Sequence, residues 1–296
     1  MKHGGLLATQ AAHGFRPAPA CENLYFPGPT GSVFVTPHIA THVRLPFYGM
    51  IVISTEGPPI EIRQRTHTAR HRAMAFCGKD AVFNATTGYV CVSVNPLHRD
   101  FRAFTLIPYP QVLPLDHSRF AAFEKLLTQA RDGSLTHAGA IALFDGILAA
   151  ARPALPAVAP LDERAQALMR MLWIDPRCSI AKLADHLGLS YHRTSHLFSE
   201  AVGLPVRKYQ LWQKLYRAGG PLGDGVSFAE VAHAAGFVDS AHFSRSFQTA
   251  YGRSPSEMFR TRRIKVFAPE FFRDPIPTCL AEPAPHAAGP RRAAAR

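Results

Sequence analysis

Apolar and polar positions follow the same order twice in the second half of the chain. The first copy covers 179–203 and the second covers 227–252. Each copy begins with apolar residues spaced three and four positions apart, which predicts an amphipathic helix. A glycine then ends this helix, and a capping side chain begins the next one. Each copy therefore predicts a helix, a tight turn and a second helix, the layout of a helix-turn-helix unit.

The two copies differ in the length of their turns. They align at an offset of 48 residues up to Gly188 and Gly236, and at an offset of 49 from Ser195 and Ser244 onwards. One extra residue therefore lies in the second turn. The second helix of such a unit enters the DNA major groove, and an internal repeat fixes the architecture of its segment. Further helices are predicted before, between and after the two units, over 161–173, 206–217 and 256–263.

Short apolar runs separated by turn residues fill the first part of the chain, over 21–110. The predicted strands are 32–36, 48–55, 61–64, 72–76, 82–84, 89–94 and 104–107. Many short strands at this spacing favour a β-sandwich or a small barrel. Two helices over 118–130 and 135–151 are predicted to pack on it as a hairpin. The proline-rich segment 152–160 is predicted to be an extended interdomain linker.

The second half of the chain resembles the DNA-binding domain of AraC/XylS-type transcription regulators. The resemblance rests on the tandem units and on the segments GFVDSAHFSRSF at 236–247 and GRSP at 252–255. The first unit adds Leu183-Ala184, Gly188-Leu189-Ser190, Leu197-Phe198, Gly203-Leu204-Pro205 and, after it, Tyr209. The sequence departs from the family pattern at Thr194, where a larger apolar residue is usual, at Lys214, where Arg is usual, and at Gly219-Gly220-Pro221.

The segment 70–96 resembles, more weakly, the cupin-like N-terminal domain of the same regulators, which senses a small molecule or contributes to dimerisation. The resemblance implies an α+β protein of two domains. A cupin-like β-barrel with a helical hairpin would be followed by an all-α domain in which a long helix joins two helix-turn-helix units. The expected boundaries are a flexible leader over 1–20, the cupin-like domain over 21–151, the linker over 152–160, the DNA-binding domain over 161–265 and a disordered basic tail over 266–296.

The charge of the chain favours a polyanionic partner. The formal net charge is +12 over 296 residues, and a strongly basic balance is typical of nucleic-acid binding. The five cysteines are odd in number and far apart, with no C-x-x-C pair, so neither a zinc site nor a disulfide framework is indicated. The N-terminus lacks the apolar core and cleavage site of a signal peptide. The apolar run at 138–151 is too short to span a membrane, and a cytoplasmic location is expected.

Base-reading residues are predicted on the outward face of the second helix of each unit. In the first unit these are Tyr191, His192, Ser195 and His196. In the second unit they are Ser240, Ala241, His242, Ser244 and Arg245, with Asp239 or Ser240 as the helix cap. Arg245 is the strongest candidate, because a guanidinium donates two hydrogen bonds to O6 and N7 of guanine. A phosphate contact or a salt bridge to Glu230 is the alternative for Arg245.

Phosphate contacts are predicted for one capping serine and for basic residues of the same domain. Helix N-termini favour anions, so a capping serine can also contact phosphate. The candidates are Ser190, Arg193, Arg207, Lys208, Lys214, Arg217, Arg253 and Arg260. A solvated basic face is the alternative for each of the basic residues.

An apolar effector pocket in the first domain is predicted around Phe76, Phe83, Val90 and Val92, with an ordinary barrel core as the alternative. Five histidines are candidate metal ligands, namely His38, His42, His67, His71 and His98. Their i, i+4 pairs share a face on a helix but not on a strand. Asn84 also stands where such domains often carry His. No metal, no other cofactor and no catalytic residue is therefore predicted.

These observations predict a sequence-specific DNA-binding transcription regulator rather than an enzyme. The two second helices would enter adjacent major grooves on about 20 bp of double-stranded DNA. The resemblance implies modulation by a small molecule or by homodimerisation, and contact with RNA polymerase if the protein is an activator. Two alternatives stay open: a metal-dependent cupin-type enzyme fused to a DNA-binding module, and a constitutive binder that needs no effector.

Overall fold

The computed structural model describes residues 23–36, 45–55, 58–64, 67–78, 81–84, 88–219, 226–252, 254–260 and 264–267. The predicted leader, His38, His42 and Arg253 lie outside these residues, as does the predicted tail from residue 268 onwards. Within the described residues, a first part built of strands and three helices is followed by a helical second part. The two-domain α+β architecture is therefore confirmed.

The first part contains two sheets. The strands are β1 (Asn23–Pro27), β2 (Gly31–Thr36), β3 (Gly49–Ser54), β4 (Ile60–Gln64), β5 (His67–His71), β6 (Ala73–Cys77), β7 (Ala81–Asn84), β8 (Tyr89–Val94), β9 (Val112–Pro114) and β10 (Ile264–Val266). The larger sheet has the order β10-β1-β2-β8-β3-β6-β9 and the smaller one β5-β4-β7. Among the described strands neither sheet closes on itself, so a closed cupin-like barrel is not confirmed.

Side-chain alternation gives the larger sheet two apolar faces with different neighbours. Ile51 pairs with Val92, and both belong to the core shared with the helices. Val52 pairs with Cys91, and both pack in a separate core that Ile62 of β4 joins from the smaller sheet. The period of two along each strand therefore builds two cores on opposite sides of one sheet.

The predicted effector pocket is wrong as a single site. Phe76 lies in the core between the two sheets, whereas Val90 and Val92 lie in the core on the helical side. Phe76 pairs with Met50 of β3, whereas Val92 pairs with the next residue, Ile51. Successive residues of a strand face opposite sides of the sheet, so the two side chains point to different cores. Phe83 pairs with Ile62 in the small sheet. The four residues were grouped by apolarity along the chain, and only strand register reveals that they separate.

Three helices cover the helical side of the larger sheet. They are α1 (Phe101–Thr105), α2 (Glu124–Arg131) and α3 (His137–Ala151), and a 3₁₀ turn over His117–Phe123 precedes α2. The predicted strand over 104–107 is wrong. Phe101 and Phe104 are both buried, and their spacing of three suits a helix. The predicted helix over 118–130 is divided into the 3₁₀ turn and α2.

The predicted linker begins with a second 3₁₀ turn, over Arg152–Ala154, and is extended from Leu155. In this turn Arg152 donates hydrogen bonds of 3.0 and 2.8 Å to Asp100 Oδ2.

The second part contains the predicted tandem units. Its helices are α4 (Glu163–Ile174), α5 (Ile180–Leu187), α6 (Tyr191–Val202), α7 (Val206–Gly219), α8 (Phe228–Ala234), α9 (Ser240–Tyr251) and α10 (Pro255–Arg260). The helix–turn–helix pairs are α5–α6 and α8–α9, and α7 joins them as predicted. None of the helices in the described residues is both long and apolar enough to cross a membrane.

The chain returns to the first part after the second unit. Strand β10 pairs with β1 in parallel, with Asn23 opposite Ile264. The ring of Phe267 stacks on that of Phe26 at 4.4 Å between centroids. Val266 and Phe267 lie within the predicted disordered tail, and the structure instead makes them part of this packed edge. Sequence composition missed this contact because the pairing joins residues about 240 positions apart.

Candidate nucleic-acid interface

Local chemistry fixes the start of α6. Gly188 ends α5 with a left-handed backbone, at φ +62°, a conformation that glycine adopts without steric cost. Ser190 then caps α6, where its hydroxyl accepts from the amide of Arg193. Thr194 and Phe198 face the core. The opposite face of α6 is therefore directed to solvent.

The structure brings the predicted residues of the first unit together on that outward face. Tyr191, His192 and His196 are exposed, and Ser195 is half-buried. The ring of Tyr191 contacts the ring of His192 edge-on, at 5.6 Å between centroids. Aromatic and imidazole groups thus dominate this surface, which offers donors and acceptors but only one guanidinium, that of Arg193.

The start of α9 is fixed by a different residue. Asp239 is the N-cap and accepts from the amide of His242 at 2.6 Å. Ser240, the other candidate for the cap, is instead the first residue of the helix. Phe243 and Phe247 are buried, so Ser240, Ala241, Ser244 and Arg245 lie on the other face.

The outward face of α9 ends in an exposed arginine. Arg245 and Ala241 are exposed, whereas His242 is half-buried with its ring edge-on to Phe237 at 5.4 Å. Glu230, the alternative partner of Arg245, accepts hydrogen bonds from the amide and hydroxyl of Ser227. No ion pair of Arg245 occurs within the described part of the chain, so its guanidinium is available to a ligand.

Four of the predicted phosphate ligands are exposed at this surface or beside it. Ser190, Arg193, Arg207 and Lys208 are exposed to solvent. Arg260 is the last residue of α10, and Arg253 lies outside the described residues. The phosphate assignments of these two stay predictions.

Lys214 and Arg217 do not behave as solvent-facing cations. Arg217 donates to the carbonyl oxygen of Trp173 and stacks on its ring at 5.2 Å. Burial lowers the pKa of this guanidinium. Lys214 lies 5.8 Å from the centroid of Phe237, and burial lowers its pKa also. Both contacts of Arg217 oppose its predicted phosphate contact, because they use the guanidinium inside the fold. For Lys214 the ring contact opposes the predicted phosphate contact.

The helix α7 holds the two units through an aromatic core. The ring of Tyr209 lies edge-on to that of Phe198 of the first unit, at 5.3 Å between centroids, and the ring of Trp212 lies 5.3 Å from that of Tyr209. Two residues further along α7, Lys214 reaches Phe237 in the turn of the second unit. One rigid helix therefore contacts the interior of both units, which fixes their separation.

Sequence reasoning missed one exposed residue of this surface. Val238 is 85% exposed and lies directly before the cap of α9. It occupies the place of the extra residue in the second turn. The sequence carries a signal for it, since the offset between the two units changes at that point.

The first part of the chain contacts both units away from their outward faces. A Cβ built on Gly203, the C-cap of α6, would lie 2.7 Å from Thr105 Oγ1 of α1. Tyr48 forms a hydrogen bond with Tyr251, the last residue of α9, and burial raises the pKa of both phenols. These contacts lie at the carboxyl ends of α6 and α9, opposite the amino ends where a recognition helix contacts bases.

Comparisons with known proteins agree with this geometry. The model of a helix-turn-helix domain family matches residues 183–261. The arabinose operon regulatory protein of Escherichia coli is 33% identical over 102 residues, covering 33% of this chain and 35% of that protein. The uncharacterized HTH-type transcriptional regulator YijO of Escherichia coli is 36% identical over 104 residues, covering 33% and 37%. The chain thus spans about a third of the length of these curated relatives.

A crystal structure of ToxT from Vibrio cholerae O395 covers 77% of this chain and 95% of its own, with 12% identity and a TM-score of 0.49. The C-terminal part of this chain, with the α5–α6 and α8–α9 pairs joined by α7, is thus similar in sequence to the tandem helix-turn-helix domain of AraC/XylS-type transcription regulators.

Proposed function

We propose that this protein is a sequence-specific DNA-binding transcription regulator. The observation that carries the proposal is the pair of helices α6 and α9, whose outward faces hold exposed polar and basic side chains, Arg193 and Arg245 among them. Arg245 supports base reading, since its guanidinium is exposed and its alternative partner Glu230 is occupied by Ser227. Exposed Arg193, Arg207 and Lys208 would neutralise phosphates and make binding sensitive to salt.

The same proposal assigns the first part of the chain a regulatory role. Its contacts with Gly203 and Tyr251 lie at the carboxyl ends of α6 and α9, the two proposed recognition helices. A small molecule or a second subunit that displaced these contacts would change the relative orientation of α6 and α9. The net charge of +12 favours a polyanionic partner and so supports the regulator over the fused cupin-type enzyme.

The first experiment is selection of binding sites from genomic fragments by the full-length protein at near-physiological salt. Sites with two short blocks about one helical turn of DNA apart are expected. Fragments without a shared sequence, whose binding disappears as salt rises, would contradict the proposal.

Two arginine substitutions then separate base contact from phosphate contact. Arg245→Ala is expected to reduce affinity for the selected site about tenfold or more and to relax preference at one base pair. Arg193→Ala is expected to weaken all sequences alike and to lower the salt slope by about 1. Arg217→Lys, a substitution within the fold, is the control and should leave the salt slope unchanged. Uniform weakening by Arg245→Ala would contradict base reading by this residue.

A further inference from the structure

Val238 is the extra residue of the second turn, and it has no role in packing. In the first unit two residues, Leu189 and the cap Ser190, follow the turn glycine Gly188. In the second unit Phe237 and Val238 both precede the cap Asp239. Phe237 is buried, whereas Val238 is 85% exposed, the highest value among the large apolar side chains of the described residues. A turn would ordinarily take Gly, Asn, Asp or Ser there.

The turn holds Val238 in one place although its side chain is exposed. On one side, the ring of Phe237 packs between Phe243, at 5.3 Å, and the ammonium group of Lys214, at 5.8 Å. On the other side, Asp239 is fixed by its hydrogen bond to the amide of His242. Both neighbours of Val238 are therefore anchored, and the valine is presented in a defined position at the amino end of α9.

The position of Val238 determines what it meets when α9 enters a groove. Ala241, one helical turn further, is also exposed, and Arg245 follows after one more turn. The outward edge of α9 thus begins with two apolar side chains and ends with a guanidinium. The 5-methyl group of thymine is the apolar group that base edges offer in the major groove. An apolar side chain held at the amino end of a recognition helix matches that group in chemistry and in place.

We propose that Val238 contacts a thymine methyl group and thereby adds a specificity determinant to the second unit. This inference rests on the proposed function, since it requires α9 to enter the major groove. It predicts that the half-site of the second unit contains a thymine whose methyl group is recognised, close to the guanine that Arg245 would read. The first unit has no counterpart to this residue, so its half-site lacks the corresponding contact.

The test measures the affinity of full-length protein for its selected site and for duplexes in which each thymine of the second half-site is replaced by deoxyuridine. This replacement removes only the methyl group. At one position, wild-type protein is expected to lose about three- to tenfold in affinity, the scale of one or two apolar carbon groups removed from water. Val238→Ala should bind the unmodified site with a similar loss and should be insensitive to the replacement at that position.

Val226→Ala is the matched control. Val226 is also an exposed valine directly before a helix cap, that of α8, but it precedes the first helix of the unit. This variant should retain the full sensitivity to methyl removal. Because Val238 is exposed, its replacement should not alter thermal stability, which a melting curve of each variant checks.

The outcomes separate the inference from the proposed function. If wild-type protein prefers its site, but Val238→Ala and wild type respond alike to every replacement, Val238 reads no methyl group and the inference fails alone. A loss of transcriptional response by Val238→Ala without a change in DNA affinity would also overturn it and would indicate a protein partner. If wild-type protein binds all duplexes alike, the proposed function fails and the inference fails with it.

Discussion

The two helix-turn-helix units have the same backbone layout, but different kinds of side chain fill their cores. Thr194 of the first unit and Phe243 of the second occupy equivalent positions, and both are fully buried. Phe243 contacts Phe228, Phe237 and Phe247. The hydroxyl of Thr194 has no hydrogen-bond partner among the described residues. The repeat thus keeps the position and its burial, while the stabilising chemistry differs between the two copies.

The units also differ at their first helices. Ser227 and Glu230 form a reciprocal capping box at the start of α8. At the start of α5, Ser179 accepts from the amide of Lys182, and a lysine takes the place of the glutamate. The second unit is therefore capped by two mutual hydrogen bonds and the first by one, with an exposed lysine in the place of the glutamate.

The largest effect is expected from breaking the aromatic core of the second unit. Phe243→Ala should lower the free energy of unfolding by about 3–5 kcal/mol, because a fully buried ring leaves a cavity among three others. Denaturant unfolding followed by circular dichroism measures it. Thr194→Ala at the equivalent position should cost clearly less. Equal losses would mean that the two cores are energetically alike, contrary to the comparison.

A smaller effect is expected at the C-cap of the first reading helix. Gly203→Ala requires a left-handed backbone at φ +84° and places a Cβ against Thr105. Gly188→Ala meets the same backbone cost of about 1–2 kcal/mol but no neighbouring atom. Gly203→Ala should therefore destabilise more than Gly188→Ala.

The additional destabilisation by Gly203→Ala, relative to Gly188→Ala, measures the contact between the two parts of the chain. It should disappear when Gly203→Ala is combined with Thr105→Ala, since that change removes the obstructing hydroxyl and methyl groups. A double-mutant cycle by thermal unfolding measures the coupling. Simple additivity of the two substitutions would show that α1 and α6 do not press against each other in solution.

Thr194→Val should make the first unit more like the second. The substitution keeps the shape of the side chain and removes a buried hydroxyl without a partner among the described residues, so the free energy of unfolding should rise by about 1 kcal/mol. The urea midpoint of the full-length protein measures this gain. Thr249→Val, on the exposed face of α9, is the control and should change little. Destabilisation by Thr194→Val would indicate that the hydroxyl is satisfied.

The smallest effect concerns pH and the capping box. Hydrogen bonds from the Ser227 hydroxyl and amide lower the pKa of Glu230 below its usual value of about 4.5. Because the folded-state pKa is the lower one, the contribution is present above about pH 4.5 and is lost as the pH falls through the folded value. Glu230→Gln should reduce the loss of stability in that acid range, whereas Glu200→Gln on the exposed face of α6 should not. Identical acid profiles for wild type and Glu230→Gln would exclude this role.

Much of the candidate site could be predicted from local sequence. Helical periodicity, the turn glycines and the caps Ser190 and Asp239 depend on residues within a few positions of each other. They therefore placed α6, α9 and their outward faces, including the exposure of Arg245. The predicted strand over 104–107 is wrong because it was also based on local sequence. Four apolar-rich residues fit the period of a strand and that of a helix equally well, and only the burial of Phe101 beside Phe104 shows that the segment is helical.

What only the tertiary structure decided concerns partners that are distant along the chain. Composition could not reveal that Arg217 binds the carbonyl of Trp173, that Phe76 and Val90 face opposite cores, or that β10 returns to β1. Each of these depends on which surfaces meet after folding, and a positive charge or an apolar side chain looks the same in sequence whichever surface it meets. The sequence by itself determined the repeat, its caps and the outward faces of α6 and α9, because these follow from short-range periodicity and backbone sterics. The fold decided which charges stay exposed on these faces and how the two parts of the chain hold α6 and α9, because burial and strand register are long-range properties.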